Sequence, residues 1–194
     1  MKPYGMKLPV LTPNANPHTR KYMSLKILTY PNPLLGKASL PVTKITEEIR
    51  QLVDEMTETM YKSDGIGIAA PQVGKLLRLV VIDVSGPEKR DERMVLVNPV
   101  WSPLPDAAPV QSEEGCLSVP DYRSRVRRTG NVHVEATDLD GKPVSFDAEG
   151  LLAICVQHEI DHLDGKLFID HISRLKRMMF ESKLKKGTRQ SQVG

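Results

Sequence analysis

The sequence has few cysteines, few aromatic residues and no long apolar run. Two cysteines, Cys116 and Cys155, are too few for a disulfide framework, which favours a reducing compartment and a thiolate ligand or a buried thiol. No stretch approaches the roughly 18 apolar residues of a membrane-spanning helix, and the N-terminus lacks the apolar segment of a secretory signal. The net charge of +3 neither requires nor excludes a nucleic-acid partner. We expect no membrane association and no DNA partner.

The first 22 residues differ from the rest of the chain. They lack acidic residues and any helical or strand period, and they are rich in residues that interrupt both: Pro3, Gly5, Pro9, Pro13 and Pro17. We expect a leader or extension over 1–22, which is a tag, a start codon assigned too early or an organellar transit segment. The rest of the 194 residues suits a single domain over 23–187 and a flexible polar tail over 188–194.

Three segments have the composition of helices. The first, over 43–63, has apolar residues at three- and four-residue spacing: Ile45, Ile49, Leu52, Val53, Met56 and Met60. A mostly apolar helix is predicted over 150–163, ended by Asp164-Gly165, and a helix with basic outer positions over 173–185.

Strands are predicted over 77–84, 94–101, 131–137 and 143–147, with a hairpin signal at Asp140-Gly141. A charged turn is expected over 85–92 and a proline-rich loop over 103–109. The pattern indicates an α+β fold, in which antiparallel sheets pack around a central metal-binding helix and a further helix lies near the C-terminus.

The central helix contains two histidines four residues apart, His158 and His162. This spacing places both imidazoles on one helix face, where they can bind one cation. Glu159 follows the first histidine and can carry a proton once a cation has lowered the pKa of a water molecule. The alternative is two surface histidines on an ordinary helix. That is disfavoured because Leu151, Leu152, Ile154, Val156 and Ile160 make the helix apolar and therefore buried.

A third protein ligand is needed, and the candidates are Cys116, Cys155, Glu113, Glu114 and His171. Cys155 shares the helix face, but a small buried thiol is the simpler interpretation. Cys116 lies between Gly115 and Pro120, which suggests an irregular turn that can aim a thiolate and present a backbone N–H beside it. Cys116 is the preferred ligand.

A glycine-rich segment over 65–74 reads GIGIAAPQVG and lacks the Lys-Ser/Thr ending of a phosphate-binding loop. The alternative is a flexible turn. Its glycines, Gly65 and Gly67, permit close approach of backbone to a ligand, and the Gln72 amide can donate to a developing oxyanion.

Three motifs occur in one order: GIGIAAPQVG over 65–74, EGCLS over 114–118 and QHEIDHLDG over 157–165. Together they closely resemble the peptide deformylase family, in the bacterial form with a helical C-terminus. The resemblance runs from about Met23 to the third helix. It implies a hydrolase that removes the N-formyl group from the N-terminal formylmethionine of newly synthesised proteins and releases formate.

The resemblance also implies residue roles. It places the metal ligands at Cys116, His158 and His162, and the general base at Glu159. The oxyanion donors fall on the Gln72 side chain and the Leu117 backbone N–H. Gly67 matches the position that pairs with the substrate backbone. The other substrate-binding positions implied are Gly65, Ile66, Glu114, Arg123, Leu151, Ile154 and Cys155.

The ligand chemistry and the resemblance differ on the metal. A thiolate with two imidazoles suits zinc, whereas the family implies one ferrous ion, Fe2+, replaceable by Zn2+, Ni2+ or Co2+. The family further implies bacterial cytoplasm rather than an organelle, and docking on ribosomes through the basic C-terminal helix. A second basic run, at Arg123, Arg125, Arg127 and Arg128, is expected to be a solvated face.

Two other functions fit the helix motif. A metalloprotease would use the same chemistry on internal peptide bonds, and a non-catalytic module would close its site with a fourth protein ligand. Activity on formylated against unformylated peptides separates a deformylase from the metalloprotease, and for the non-catalytic module Glu159→Ala would not affect any activity.

Overall fold

The computed structural model describes residues 24–190. Its first long helix, α1, spans Glu47–Lys62 and buries Val53, Met56 and Met60 completely. It begins four residues later than predicted, because Thr46 is extended, with φ −97° and ψ 174°. Glu47 and Glu48 occupy its first turn, where the helix dipole favours negative charge.

Within residues 24–190, seven strands and one short α-helix lie between α1 and the central helix. In chain order they are β1 (Gly67–Ala69), β2 (Leu79–Ile82), α2 (Gly86–Lys89), β3 (Met94–Pro103), β4 (Pro109–Cys116), β5 (Val119–Thr129), β6 (Asn131–Thr137) and β7 (Pro143–Glu149). The predicted strands match β2, β3, β6 and β7, and the expected charged turn contains the one-turn helix α2.

An antiparallel sheet of five strands has the order β1-β2-β3-β6-β7. Its strand β2 is buried on both faces, since Val80 and Ile82 join one apolar cluster while Leu79 and Val81 join another. The first cluster includes Val156 and Ile160 of the central helix, and the second includes residues of α1. The sheet is therefore covered by a helix on each face, as its continuous apolar sequence requires.

Strands β4 and β5 form a separate two-stranded antiparallel sheet. This hairpin was not predicted. Along β5, Arg123, Arg125 and Arg127 are exposed, while the inward positions are Ser124, Val126 and Arg128. The alternation of exposed and buried residues is present, but of these three inward side chains only Val126 is apolar, so hydrophobicity alone does not reveal this part of the strand.

The central helix, α3, spans Gly150–Leu163, as predicted. It is buried along most of its length because its sequence is apolar on nearly every side. Gly165 follows it with φ +70°, and a β-carbon there would lie 2.8 Å from the backbone carbon of Gly36. The expected stop at Asp164-Gly165 therefore needs glycine for both its backbone angle and its close packing.

The last helix, α4, spans Arg174–Gln190 and extends beyond the predicted end at residue 185. Phe180 anchors it in a third apolar cluster with Val126 and Phe168. The predicted leader over 1–22 and the end of the predicted tail, 191–194, lie outside the described residues. Within residues 24–190, no helix has both the length and the apolar character to cross a membrane.

Candidate active site

Three potential metal ligands converge between α3 and the end of β4. The rings of His158 and His162 are buried, with centroids 5.0 Å apart and planes at 77°. Cys116 Sγ lies 3.2 Å from His162 Nε2, and one ligand atom from each of the three residues lies within 4.8 Å of the others. The other candidates are directed elsewhere: Glu113 is exposed, and His171 Nε2 bonds to Asp161.

The position of Cys116 depends on the hairpin. The sequence suggested an irregular turn here, and Cys116 is the last residue of β4, where it pairs with Val119 across a short turn. The ladder shifts register after Gly115, and the Ser118 N–H donates to Cys116 Sγ at 3.4 Å. The strand thus fixes the thiol, and the turn supplies a backbone donor beside it.

The thiol is favoured in its ionised form. Burial raises the pKa of Cys116, but the neighbouring His162 and His158 lower it by more, leaving it at about 5. A thiolate is the form of cysteine that binds metals. Cys155, in contrast, has its pKa raised by burial and by the carboxylates of Glu159 and Glu114. The two cysteines therefore differ: Cys116 is suited to be a ligand, whereas Cys155 is a buried thiol whose ionisation is disfavoured.

Glu114 orients one of the imidazoles. Its Oε2 lies 2.8 Å from His158 Nδ1. Burial raises the pKa of Glu114, but bonds from Arg128 and His158 lower it to about 2, so the carboxylate is charged. A carboxylate on one ring nitrogen fixes the tautomer and leaves the other nitrogen for a cation.

Glu159 is buried beside this donor set. Its Oε2 has no hydrogen-bond partner among the described residues. Burial raises its pKa to about 7, although His158 and His162 act in the opposite direction. A sulfur and two nitrogen donors, with an unpartnered carboxylate oxygen beside them, fit a tetrahedral cation that keeps one open position.

Gln72 faces the same point from the turn after β1. Its Oε1 accepts from the Ala69 N–H at 2.8 Å. This leaves Nε2 directed at Cys116 Sγ, 3.5 Å away, and at Ser118 Oγ, 3.2 Å away. The amide therefore presents a donor to the space beside the potential ligands, as the sequence suggested.

A cavity of about 860 Å³ opens onto these groups. Gln72, Cys116, Leu117, His158 and Glu159 line it. All of the predicted substrate-binding positions line it too, namely Gly65, Ile66, Gly67, Glu114, Arg123, Leu151, Ile154 and Cys155. The structure thus brings three distant segments of sequence to one cavity.

Sequence reasoning missed two residues near the site. Arg128, expected on a solvated face, is buried and bonds to both Glu114 and Asp161. Asp161 was passed over inside the helix motif. One feature of the sequence could have indicated that Arg128 is buried. It lies two residues after Val126, on the inward face of a strand.

The matching family model is that of polypeptide deformylase, over residues 24–178. The chain belongs to this family. It is 51% identical to the peptide deformylase of Stutzerimonas stutzeri, with 86% of this chain and 97% of that protein aligned. Identity to the Acinetobacter baumannii enzyme is 48%, over 86% of this chain and 93% of the other. A crystal structure of the Legionella pneumophila peptide deformylase matches with a TM-score of 0.80 and 45% identity, covering 89% of this chain and 99% of that one.

The family membership confirms the predicted fold class and activity. The chain is a hydrolase that removes the formyl group from N-terminal formylmethionine. Metal binding is consistent with the cluster of Cys116, His158 and His162. The assignment favours a deformylase over the metalloprotease and the non-catalytic module that the helix motif alone also allowed.

Proposed function

We propose that this chain deformylates new proteins with one cation held by Cys116, His158 and His162, and with Glu159 as the proton carrier. The observation that carries this is the convergence of the three ligand atoms within 4.8 Å. Two of the three, Cys116 and His158, line a cavity whose lining also includes Glu159. Glu113 is exposed and His171 is bonded elsewhere, so among the described residues these two do not supply a fourth ligand that would close the site.

Bound at these residues, a divalent cation would lower the pKa of a water molecule and polarise the formyl oxygen. Glu159 takes the proton that the water loses on attacking the formyl carbon. It then returns that proton to the leaving amine as formate departs. A carboxyl with a pKa of about 7 is suited to both steps near neutral pH.

Gln72 and Leu117 stabilise the negative charge that develops on the formyl oxygen. The Gln72 amide is held by the Ala69 N–H, which directs its Nε2 toward Cys116 and Ser118, beside the proposed ligands. The Leu117 backbone N–H is the second donor, from the turn that follows Cys116. Fixed donors of this kind stabilise the transition state more than the substrate.

The substrate lies along β1 as an extended peptide. This strand is at the edge of its sheet, and Gly67 presents backbone directly to the cavity. Ile66, Leu151, Ile154 and Cys155 form the wall that receives the methionine side chain, next to Gly65. Arg123 and Glu114 lie on the other side of the cavity, on the β4–β5 hairpin.

The working ion is Fe2+, replaceable by Zn2+, Ni2+ or Co2+. A thiolate and two imidazoles accept all four of these divalent ions, so the ligand set alone does not select among them. An anaerobic preparation tests the assignment. Activity should follow the iron content of the protein, and activity that followed zinc instead would overturn it.

The enzyme acts in the bacterial cytoplasm as a single catalytic domain over 23–187. Both cysteines are free, and the thiolate character of Cys116 suits a reducing compartment. Its substrates there are the formylmethionyl termini of nascent chains. An organellar location is the less favoured alternative.

Helix α4 is the surface that docks on the ribosome. Arg174, Lys176, Lys183 and Lys185 are exposed on it, and phosphate groups of RNA would bind such residues in a salt-dependent manner. Truncation after Leu175 would also remove the buried anchor Phe180, so charge reversal is the cleaner test. Lys176→Glu with Lys183→Glu should weaken ribosome co-sedimentation without lowering activity on a short peptide. Unchanged co-sedimentation would remove the idea.

The experiment for the activity compares two peptides. Formyl-Met-Ala should release formate, while an unformylated peptide with internal bonds should remain intact. Cleavage of the second peptide would favour a metalloprotease. Neither reaction, in protein that has bound metal, would favour a non-catalytic module.

A further inference from the structure

A buried guanidinium connects the hairpin to the central helix. Arg128, on β5, donates from Nε to Glu114 Oε1 at 2.7 Å and from Nη2 to Glu114 Oε2 at 2.9 Å. Its remaining nitrogen, Nη1, donates to Asp161 Oδ2 at 2.5 Å. The side chains of Arg128 and Glu114 are 5% and 4% exposed, so solvent screens these bonds very little.

Both partners of Arg128 are adjacent to potential metal ligands. Glu114 lies two residues before Cys116 on β4, and its Oε2 also accepts from His158 Nδ1 at 2.8 Å. Asp161 directly precedes His162 on α3. Arg128 is therefore connected to His158 through Glu114, to His162 through the adjacent Asp161, and to Cys116 through Glu114 and Gly115 of the same strand.

A second contact reinforces the same junction. The Gln157 amide accepts from the Thr129 N–H at 3.0 Å and donates to the Thr129 carbonyl at 2.8 Å. Gln157 directly precedes His158, and Thr129 directly follows Arg128. Two consecutive residues of β5 thus hold α3 in place at the point where it carries its histidines.

We infer that Arg128 is a positioning residue for the cation site. It fixes the Glu114 carboxylate that orients His158, and it sets the spacing between α3 and the strand that carries Cys116. This inference rests on the proposed function, because it concerns the same metal site. Lysine cannot fully replace Arg128, since a single ammonium does not reproduce the planar guanidinium that bonds two carboxylates.

A loss of stability alone would not identify this role. Removing one partner of a buried ion pair is itself destabilising, because it leaves the Glu114 carboxylate buried without its charge partner. Residues that orient a ligand from outside the coordination shell do change metal affinity, typically by about 10–100-fold. Metal affinity, measured apart from catalysis, is therefore the readout that a merely structural residue would leave unchanged.

The test measures cobalt binding by the purified full chain. Competition with a chromophoric chelator gives the Kd for Co2+, absorption spectra report the ligand field, and thermal melts of metal-free protein report stability. Arg128→Met should weaken Co2+ binding by about 10–100-fold and alter the spectrum, and Arg128→Lys should fall between it and the wild type. Arg127→Met, the exposed neighbour on the opposite face of β5, is the matched control and should leave the Kd unchanged.

A double substitution keeps the test decisive if Arg128→Met does not fold. Arg128 acts on His158 through Glu114. The double variant, Arg128→Lys with Glu114→Gln, should therefore weaken Co2+ binding by about as much as the worse of the two single variants, rather than by the product of their separate effects. Suppose that both Arg128 variants melt at a lower temperature but keep a Kd for Co2+ within about twofold of wild type. That result would overturn the positioning role of Arg128 and leave the proposed metal site standing. If His162→Ala bound Co2+ as tightly as the wild type does, the proposed site would be overturned as well.

Discussion

Gly67 and Glu159 are packed closely together in the lining of the cavity. A β-carbon at position 67 would overlap Glu159 Oε1 and would lie 2.8 Å from Cys155 Sγ. The backbone of β1, on which the substrate is proposed to lie, is thus packed against the proposed proton carrier. Glycine is required here by proximity to the Glu159 carboxylate rather than by a backbone angle.

Gly67→Ala should therefore lower the rate while the protein stays folded. The added methyl group displaces Glu159 from its position beside the ligands, and we expect kcat for formyl-Met-Ala to fall by about 10²-fold, as small misplacements of reacting groups do. Gly36→Ala is the control, because a β-carbon there meets no atom within 4 Å. Equal kcat in the two variants would contradict the placement of Glu159.

Gln72 should be needed for the chemical step. Replacing it with alanine removes a proposed oxyanion donor, which typically costs about 10²–10³-fold in kcat. Gln72→Glu distinguishes the oxyanion role from the hydrogen bond that holds the turn, because the acceptor for the Ala69 N–H remains while the Nε2 donor is lost. Both variants should bind metal and have similarly low kcat. A Gln72→Glu enzyme with normal kcat would show that Gln72 serves only the turn.

Cys116 and Cys155 should respond differently to the same substitution. Cys116→Ser replaces the thiolate with a hydroxyl, a much weaker ligand for these ions, so metal should be lost on dialysis against a mild chelator. Cys155→Ser should retain one ion per chain, because that thiol is neutral and lies in the cavity wall. Atomic absorption of the dialysed proteins checks both outcomes. Loss of metal from Cys155→Ser but not from Cys116→Ser would show that Cys155, rather than Cys116, is the ligand.

Much of the fold follows from local sequence patterns. Helix α3 was predicted with both of its ends correct, because an apolar run stops at Asp164-Gly165 and glycine there adopts a positive φ. Strand β6 was also predicted with both ends correct, since Val132 and Val134 alternate with polar residues on a half-buried sheet. In each case hydrophobicity and turn chemistry indicate the same element.

The β4–β5 hairpin could not be predicted by the same means. Its inward positions include Ser124 and Arg128, whose burial depends on partners elsewhere in the chain. Arg128 is buried because Glu114 and Asp161 satisfy its charge, and that pairing exists only once the hairpin lies against α3. The sequence motifs indicated the proposed ligands, whereas the charged residues that support them could be identified only from the tertiary structure.

Glu159 is proposed to carry the proton while Cys116, His158 and His162 hold the ion. This division of roles can be tested by formate release from formyl-Met-Ala by anaerobic, iron-loaded wild type and Glu159→Gln, with bound iron measured in each. We predict that Glu159→Gln keeps one iron per chain while kcat falls by about 10²–10⁴-fold, the usual contribution of a general acid–base group. Formate release at the wild-type rate by the iron-loaded variant would contradict the account.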